Sequence, residues 1–151
     1  MSPDDRSANT FQLLTEVAIV NQLANSFLES SLPDGLVASH FAALSHLIRS
    51  EDAQTVREVS RALQVPKASF SNTLAVLQRQ GLIEVGPHPR DGRSKTIQIT
   101  GEGRRVFDET VAGLAPILIR VADEVDADAL VGAIATLALI RSALDSQRDT
   151  A

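Results

Sequence analysis

Residues 82–100, "LIEVGPHPRDGRSKTIQIT", change the hydrophobic period of this 151-residue chain from helical to alternating. Leu82–Val85 and Thr96–Thr100 alternate as short strands do, and Asp91-Gly92 between them is a strong turn pair. The sequence therefore predicts a β-hairpin whose strands frame a long loop over residues 86–95.

The predicted loop is also the centre of a basic segment, since it carries Arg90, Arg93 and Lys95. A loop that only joins two strands needs about two residues, so a longer cationic one favours a binding role. Residues 55–105 have a net charge of +5, although the whole chain is −5 and the remainder is therefore −10. A basic middle between acidic flanks is typical of a polyanion site, but a solvated arginine face has the same composition.

Helical spacing precedes the hairpin. The pattern predicts four helices, over residues 10–32, 36–50, 55–65 and 67–80. Thr55 and Glu58 fit a capping box at the start of the third helix. Gly81 is well placed to end the fourth.

The helical period returns after the hairpin. One predicted helix begins near Glu102 and meets Pro116, where we expect a kink because proline lacks the backbone N–H. A final helix is predicted to begin near Asp126. The fold class is therefore mainly α with a small β-hairpin. Two short helices followed by a hairpin are typical of a winged helix-turn-helix, whose second helix enters the DNA major groove.

The second helix of that pair has a buried stripe of Phe70, Leu74 and Leu77 at helical spacing. Its opposite face is small and polar and consists of Ala68, Ser69, Asn72, Ala75, Val76 and Arg79. Small residues allow close approach to base pairs, although an ordinary amphipathic helix also presents a polar face to solvent.

Five polar residues of this helix have a predicted role. Asn72 can pair with an adenine edge and Ser69 can donate or accept at a base. Arg79 would meet a phosphate or a guanine, and Lys67 and Ser71 flank the face and suit the DNA backbone.

The cationic hairpin favours the DNA interpretation. An arginine at its tip can enter a narrow minor groove, where the negative potential is strongest. Asp91 lies two residues from Arg93 and can hold its guanidinium in place, so we interpret it as an orienting partner and not as a catalytic acid.

Two stretches resemble the multiple-antibiotic-resistance regulator (MarR) family. "RDGRSKTIQITGEG" resembles that family's wing signature, and "REVSRALQVPKASFSNTLAVLQRQGLIE" resembles its helix-turn-helix. The likeness covers about residues 55–105 by motif and the whole chain by element order. Pro66 is a departure, because family members commonly have a capping serine there. Asn72 is another, because a basic residue is common at that position.

The resemblance implies a homodimer in which two winged-helix lobes grip one palindrome. It implies a helical dimerisation region over residues 1–34 and 102–151 and a DNA-binding domain over residues 35–101. It places Ser69, Ser71 and Asn72 on bases, and Arg93 in the minor groove with Asp91 supporting it.

The run Ala129–Ile140 supports the dimer independently. It is apolar around most of its circumference, so it needs other protein to cover it. Its 12 residues are fewer than the ~20 that a membrane helix needs, and the N-terminus lacks the pattern of a secretory signal. We therefore expect a cytoplasmic protein without a membrane partner, in which the run lies at a dimer interface and not in the core of one chain.

The sequence indicates no catalytic, cofactor or metal site. The chain contains no cysteine, and His40 and His46 are six residues apart, unlike helical metal ligands at i, i+4. Gly101-Glu102-Gly103 is a helix-entry turn, because no glycine follows at the spacing of a dinucleotide fingerprint.

Two functions remain open. The first is a transcription regulator, most often a repressor in the resembled family, that is released from double-stranded DNA by a small-molecule effector. The alternative is a winged helix that serves protein–protein interaction without specific DNA binding.

Overall fold

The computed structural model describes residues 2–50, 52–88 and 91–148, apart from the side chains of Pro3, residues 91–93 and Arg148. Six helices and three strands occur in these ranges: α1 Pro3–Ser31, α2 Ala38–Ile48, β1 Gln54–Thr55, α3 Val56–Ala62, α4 Lys67–Arg79, β2 Ile83–His88, β3 Asp91–Ile99, α5 Gly101–Glu124 and α6 Ala127–Arg148. The predicted mainly helical fold with a β-hairpin is confirmed.

The sheet is antiparallel and has the order β1-β3-β2. β2 and β3 pair from Ile83↔Ile99 to Pro87↔Lys95, and the register then shifts so that His88 faces Asp91. The sequence did not predict β1, which pairs through Gln54↔Ile97 and Thr55↔Thr96. A two-residue strand is too short to show an alternating pattern.

The prediction of a loop over residues 86–95 is wrong. β2 continues through His88 and β3 begins at Asp91, so only residues 89 and 90, which lie outside the described ranges, separate the strands. Asp91 and Gly92 belong to β3 and are not the turn. Ladder hydrogen bonds join backbone groups, so pairing continues past the apolar alternation that marks the strands in the sequence.

The helix ends follow local chemistry. Thr55 Oγ1 accepts the Glu58 N–H at 3.2 Å, and Glu58 Oε2 accepts the Thr55 N–H at 2.7 Å, which confirms the capping box of α3. Gly81 has a φ of +70° and ends α4. Its N–H donates to Gln78 O at 3.0 Å while the Leu82 N–H donates to Leu77 O at 2.9 Å, the two bonds of a Schellman motif.

The chain divides into two compact units, Met1–Leu114 and Ala115–Ala151. The core of the first unit is formed by residues of α2, α3, α4, the sheet and the start of α5. Its largest fully buried side chains are Phe70, Leu44, Leu77, Ile83, Ile97, Val59 and Thr110. The stripe of Phe70, Leu74 and Leu77 is buried as predicted. The polar face of α4 is therefore turned outward.

The buried face of α2 is formed by His40, Ala43, Leu44 and Leu47. Val37 is the N-cap and is 44% exposed. The buried side chain of His40 has a backbone partner, because its Nδ1 accepts the Val37 N–H at 2.9 Å.

α5 continues through Pro116 as one helix, and the boundary between the two units falls within it. The second unit holds the rest of α5 and all of α6. Asp126 Oδ1 accepts the Ala129 N–H at 3.0 Å, which is an N-cap at the position predicted for the start of the last helix.

α6 leaves large apolar side chains exposed in this single chain, among them Val131 at 67% and Ile134 at 69%. The described part of α6 is longer than its apolar run, and Ala127–Gln147, with a mean hydropathy of 1.6, is long and apolar enough to cross a membrane. This corrects the sequence argument that the apolar run Ala129–Ile140, with 12 residues, is too short to cross a membrane. One such helix is weak evidence of a span, because a helix of a soluble interface passes the same test.

Candidate nucleic-acid interface

The outward face of α4 is the first part of the candidate interface. Ala68, Ser69, Asn72, Ala75 and Arg79 are exposed, as the helical wheel predicts, and Val76 is half-buried. The hydroxyl of Ser71 donates to Lys67 O at 2.9 Å, so its oxygen lone pairs remain available as acceptors.

The entry to α4 departs from the common serine cap. Pro66 is the N-cap, and it makes no side-chain hydrogen bond there. The Pro66 carbonyl still accepts the Phe70 N–H at 3.0 Å, the first bond of the helix. Backbone N–H groups of the first turn therefore have no side-chain acceptor from the cap, and a helix start of this kind favours an anion.

A groove of about 840 Å³ lies between α3, α4 and the hairpin. Its walls combine four cations, three hydroxyls, one amide and one carboxylate with four apolar residues. The lining is Thr55, Val56, Arg57, Glu58, Arg61, Lys67, Ser71, Leu74, Ala75, Gln78, Val85, Ser94 and Lys95. Three residues with a predicted DNA role, Lys67, Ser71 and Lys95, therefore meet at one concave surface.

The groove adds residues that the sequence interpretation missed. Arg57 and Arg61 lie four residues apart on α3, so they share one face of that helix and line the groove. Gln78 lines the groove and also a second cavity of about 330 Å³ beside the hairpin. The spacing of the arginines was visible in the sequence, but the side of α3 that faces α4 was not.

The groove cations have no carboxylate partner in the described part of the chain, where both ion pairs belong to Arg105. Glu58 is the carboxylate of the groove, and it is already bonded to Thr55 through both the backbone N–H and the hydroxyl, at 2.7 and 2.8 Å. The backbone hydrogen bond from Thr55 is the main cause that lowers the pKa of Glu58. The groove therefore keeps a net positive charge, from Arg57, Arg61, Lys67 and Lys95.

Arg105 contributes little to this charge. Its Nε donates to Glu102 Oε2 at 2.9 Å, and its terminal nitrogens reach Glu102 and Glu109 on the same helix. The hydrogen bond to Glu102 is the largest of the causes that raise its pKa further. Arg105 belongs to the basic segment of the sequence but is neutralised locally.

The hairpin residues are only partly described. Lys95 is exposed and faces Pro87 in the ladder. Asp91 and Arg93 are in β3 by their backbone, but their side chains lie outside the described residues, as does all of Arg90. The predicted Asp91–Arg93 pairing therefore stays a prediction.

A model of the MarR family matches residues 34–94, which run from the approach to α2 into β3 and contain the whole groove-forming helix pair. The match covers 61 of the 151 residues and supports membership of the MarR family. The part of the wing motif from residue 95 to Gly103 lies just beyond the matched range.

One known regulator shares part of its sequence with this chain. The transcriptional activatory protein BadR of Rhodopseudomonas palustris is 30% identical over 77 residues, which is 50% of this chain and 44% of BadR. The matched part thus spans less than half the length of that relative.

Two solved structures have the same fold. A MarR mutant of E. coli, complexed with operator DNA, has a TM-score of 0.74 at 22% identity and covers 87% of this chain and 95% of that one. BpsR of Bordetella bronchiseptica, whose DNA binding is regulated by 6-hydroxynicotinic acid, has a TM-score of 0.72 at 21% identity, over 86% and 98% of the two chains.

Proposed function

We propose that this protein is a sequence-specific DNA-binding transcription regulator. The observation that carries the proposal is the groove in which cations of α3, α4 and the hairpin, without a carboxylate partner in the described residues, lie along α4 beside its outward polar face. A B-DNA major groove is about 12 Å wide and admits one α-helix, so α4 would enter it. Arg57, Arg61 and Lys67 would then lie against the phosphates that border it.

Base reading is assigned to the outer face of α4. Ser69 and Asn72 are exposed, and their hydroxyl and amide would pair with base edges, while Ala68 and Ala75 beside them would leave room for the DNA. Arg79 and Gln78 at the C-terminal end of α4 would contact phosphate or a purine. Lys95, with Arg90 and Arg93, would place the hairpin along the backbone and into the neighbouring minor groove, and Asp91 would orient Arg93.

The protein would act as a homodimer on a palindrome. α6 has exposed apolar residues on several sides, and α1 exposes Phe11, Val20 and Leu23 in the single chain. Exposed apolar area of this extent is typical of an interface in a soluble protein, and cyclic two-fold dimers are the commonest symmetric assembly. A DNA-binding dimer of this type is expected in the cytoplasm.

The regulation would be repression that a small molecule relieves. Binding of the effector would favour a separation of the two winged-helix lobes that does not match the half-sites, and this population shift would release the DNA. The fold shared with BpsR, whose DNA binding responds to 6-hydroxynicotinic acid, supports an effector. The likeness to BadR, which is named as an activatory protein, makes activation of transcription the second candidate for the direction of regulation.

The test is a titration of the full chain against duplex DNA at several salt concentrations. A DNA binder loses affinity steeply as salt rises, because phosphate contacts release bound counterions. Selection from a random duplex library should return an inverted repeat. The alternative of a protein–protein module would be supported if no duplex bound even at low salt.

A further inference from the structure

The elements that carry the candidate interface meet α5 at one tight joint, formed by Gly81, Leu82, Ile99, Thr100 and Gly103. Thr100 is its centre. The Thr100 N–H donates to Leu82 O at 3.1 Å, and its hydroxyl donates to Gly81 O at 2.7 Å. The same hydroxyl oxygen accepts the Gly103 N–H at 3.0 Å, while the Thr100 carbonyl accepts the Arg104 N–H at 3.0 Å. One residue therefore caps α5 and ties its first turn to the turn that ends α4.

Gly103 makes the approach of α5 possible. A Cβ at this position would lie 2.2 Å from Leu82 O and 2.8 Å from Ile99 Cγ1. The obstacle is mainly a backbone carbonyl, and that carbonyl also accepts the Thr100 N–H, so it cannot swing aside without loss of a joint bond. Any larger residue must move the first turn of α5 away from the α4–β2 turn.

The joint is continuous with the core: Leu82 and Gly103 are buried, Ile99 and Thr100 are half-buried, and Gly81 is exposed. Gly103, Val106 and Thr110 form the buried face of α5, and the Thr110 hydroxyl donates to Val106 O at 2.7 Å within the helix. The direction in which α5 leaves the interface elements is therefore set by its first three turns, beginning at the joint.

We infer that Thr100 and Gly103 are positioning residues for DNA recognition, which fix the direction of α5 relative to α4 and thereby select the spacing of the two half-sites. The inference rests on the proposed function. In a dimer of such chains, α5 leads from each reading helix toward the dimerisation residues, so a small change of its direction displaces α4 of one lobe relative to the other. Recognition helices must lie about one turn, ~34 Å, apart to read one palindrome.

The chain supplies a matched control two residues away. Gly101 lies in the same helical turn, has no atom within 4 Å of an added Cβ, and does not have a positive φ. Gly101→Ala and Gly103→Ala add the same methyl group to the first turn of the same helix. Only the second collides with Leu82.

The experiment uses the full-length protein and the duplex that the wild type selects from a random library, together with derivatives whose central spacer is longer or shorter by one base pair. One base pair shifts a half-site by about 3.4 Å and about 35°. We expect wild type and Gly101→Ala to share one spacing preference. For Gly103→Ala we expect at least roughly a tenfold loss on the selected duplex and at least about a threefold change in the ratio of affinities between spacings. Binding to a duplex with one half-site should stay within about twofold.

Thr100→Ser and Thr100→Val give a second pair that does not depend on the fold tolerating a new methyl at Gly103. Serine keeps the hydroxyl and should keep the spacing preference, whereas valine keeps the shape but removes both hydroxyl bonds and should shift it. The inference is overturned if folded Gly103→Ala and Thr100→Val bind every spacing with equally reduced affinity, since the joint is then only structural. If the wild type selects no duplex at all, the proposed function fails and this inference fails with it.

Discussion

The rings of Phe41 on α2 and Phe107 on α5 are stacked, with centroids 5.2 Å apart and planes inclined by 7°. Both residues are half-buried, so the contact lies at the edge of the first unit and not in its centre. It joins the helix that packs beneath α4 to the helix that leaves the Thr100 joint. The stacking therefore supports the same direction of α5 from a second point.

This contact predicts a measurable coupling between the two rings. In a double-mutant cycle with Phe41→Leu and Phe107→Leu, we expect a coupling energy of about 0.5–1.5 kcal/mol, the usual range for an aromatic pair beyond its buried area. Urea unfolding at one fixed protein concentration measures it. Strict additivity of the two single effects would show that the rings are neighbours without mutual stabilisation.

His40 predicts a pH dependence of stability. Burial lowers its pKa from the ordinary 6.5, and the Val37 N–H that donates to Nδ1 requires the neutral ring. The unfolded chain therefore binds the proton more readily, so this contribution is complete above about pH 6.5 and is lost as the pH falls toward the folded pKa, at no more than about 1.4 kcal/mol per pH unit. His40→Gln keeps an acceptor and should have a shallower loss between about pH 6.5 and 5. Urea unfolding at each pH gives the free energy of unfolding of both proteins. If it fell equally with pH in the wild type and in His40→Gln, His40 would not be the source of the pH dependence.

The sequence predicted the elements that local chemistry determines. The Thr55 and Glu58 box, the Gly81 stop and the buried stripe of Phe70 each depend on residues within one or two turns, and the structure has all three. α1 was predicted to begin near residue 10 but begins at Pro3, because Ser2 and Asp5 form a capping box that an apolar pattern does not reveal.

Features that depend on long-range contacts were not predictable. The length of the hairpin strands is set by pairing between backbones, and β1 exists only because Gln54 and Thr55 lie beside β3. Arg57 and Arg61 were visible as charges, but their place in the groove depends on how α3 packs against α4. The close contact of Gly103 with Leu82 likewise joins residues that are far apart along the chain.

We predict that α6 lies at the dimer interface and that a single charge introduced on its apolar surface dissociates the dimer. Ile134 is 69% exposed in the single chain, and a charge there would be buried without a partner if α6 lies at the proposed interface. We expect the wild type to have twice the 16.1 kDa of the chain in sedimentation equilibrium, and Ile134→Lys to raise the dimer dissociation constant at least about 100-fold. Ala62→Lys, at an exposed position of α3, adds the same charge and should leave the dimer intact. Equal masses for wild type and Ile134→Lys would exclude Ile134 from the interface.

Arg93 is predicted to contact the minor groove. Arg93→Ala should weaken binding to the selected duplex by about 2 kcal/mol or more while circular dichroism and dimer mass stay unchanged, because the negative potential of a narrow minor groove attracts the guanidinium. Arg93→Lys should recover only part of the loss, since a point charge lacks the planar fork. An unchanged Kd for Arg93→Ala would show that the wing tip takes no part in recognition.

A comparison of variants at Lys67 and Arg105 distinguishes cations that contact DNA from cations that are neutralised within the chain. Lys67 lines the groove without a carboxylate partner in the described residues, whereas Arg105 is bonded to Glu102 and Glu109. Each phosphate contact contributes about 0.9 to the slope of log K against log salt concentration. Lys67→Ala should therefore lower that slope by about 1 and weaken all duplexes to a similar degree, and Arg105→Ala should change neither. If both variants reduced the slope equally, net charge alone would explain the binding, and the groove between α3, α4 and the hairpin would not be the contact surface.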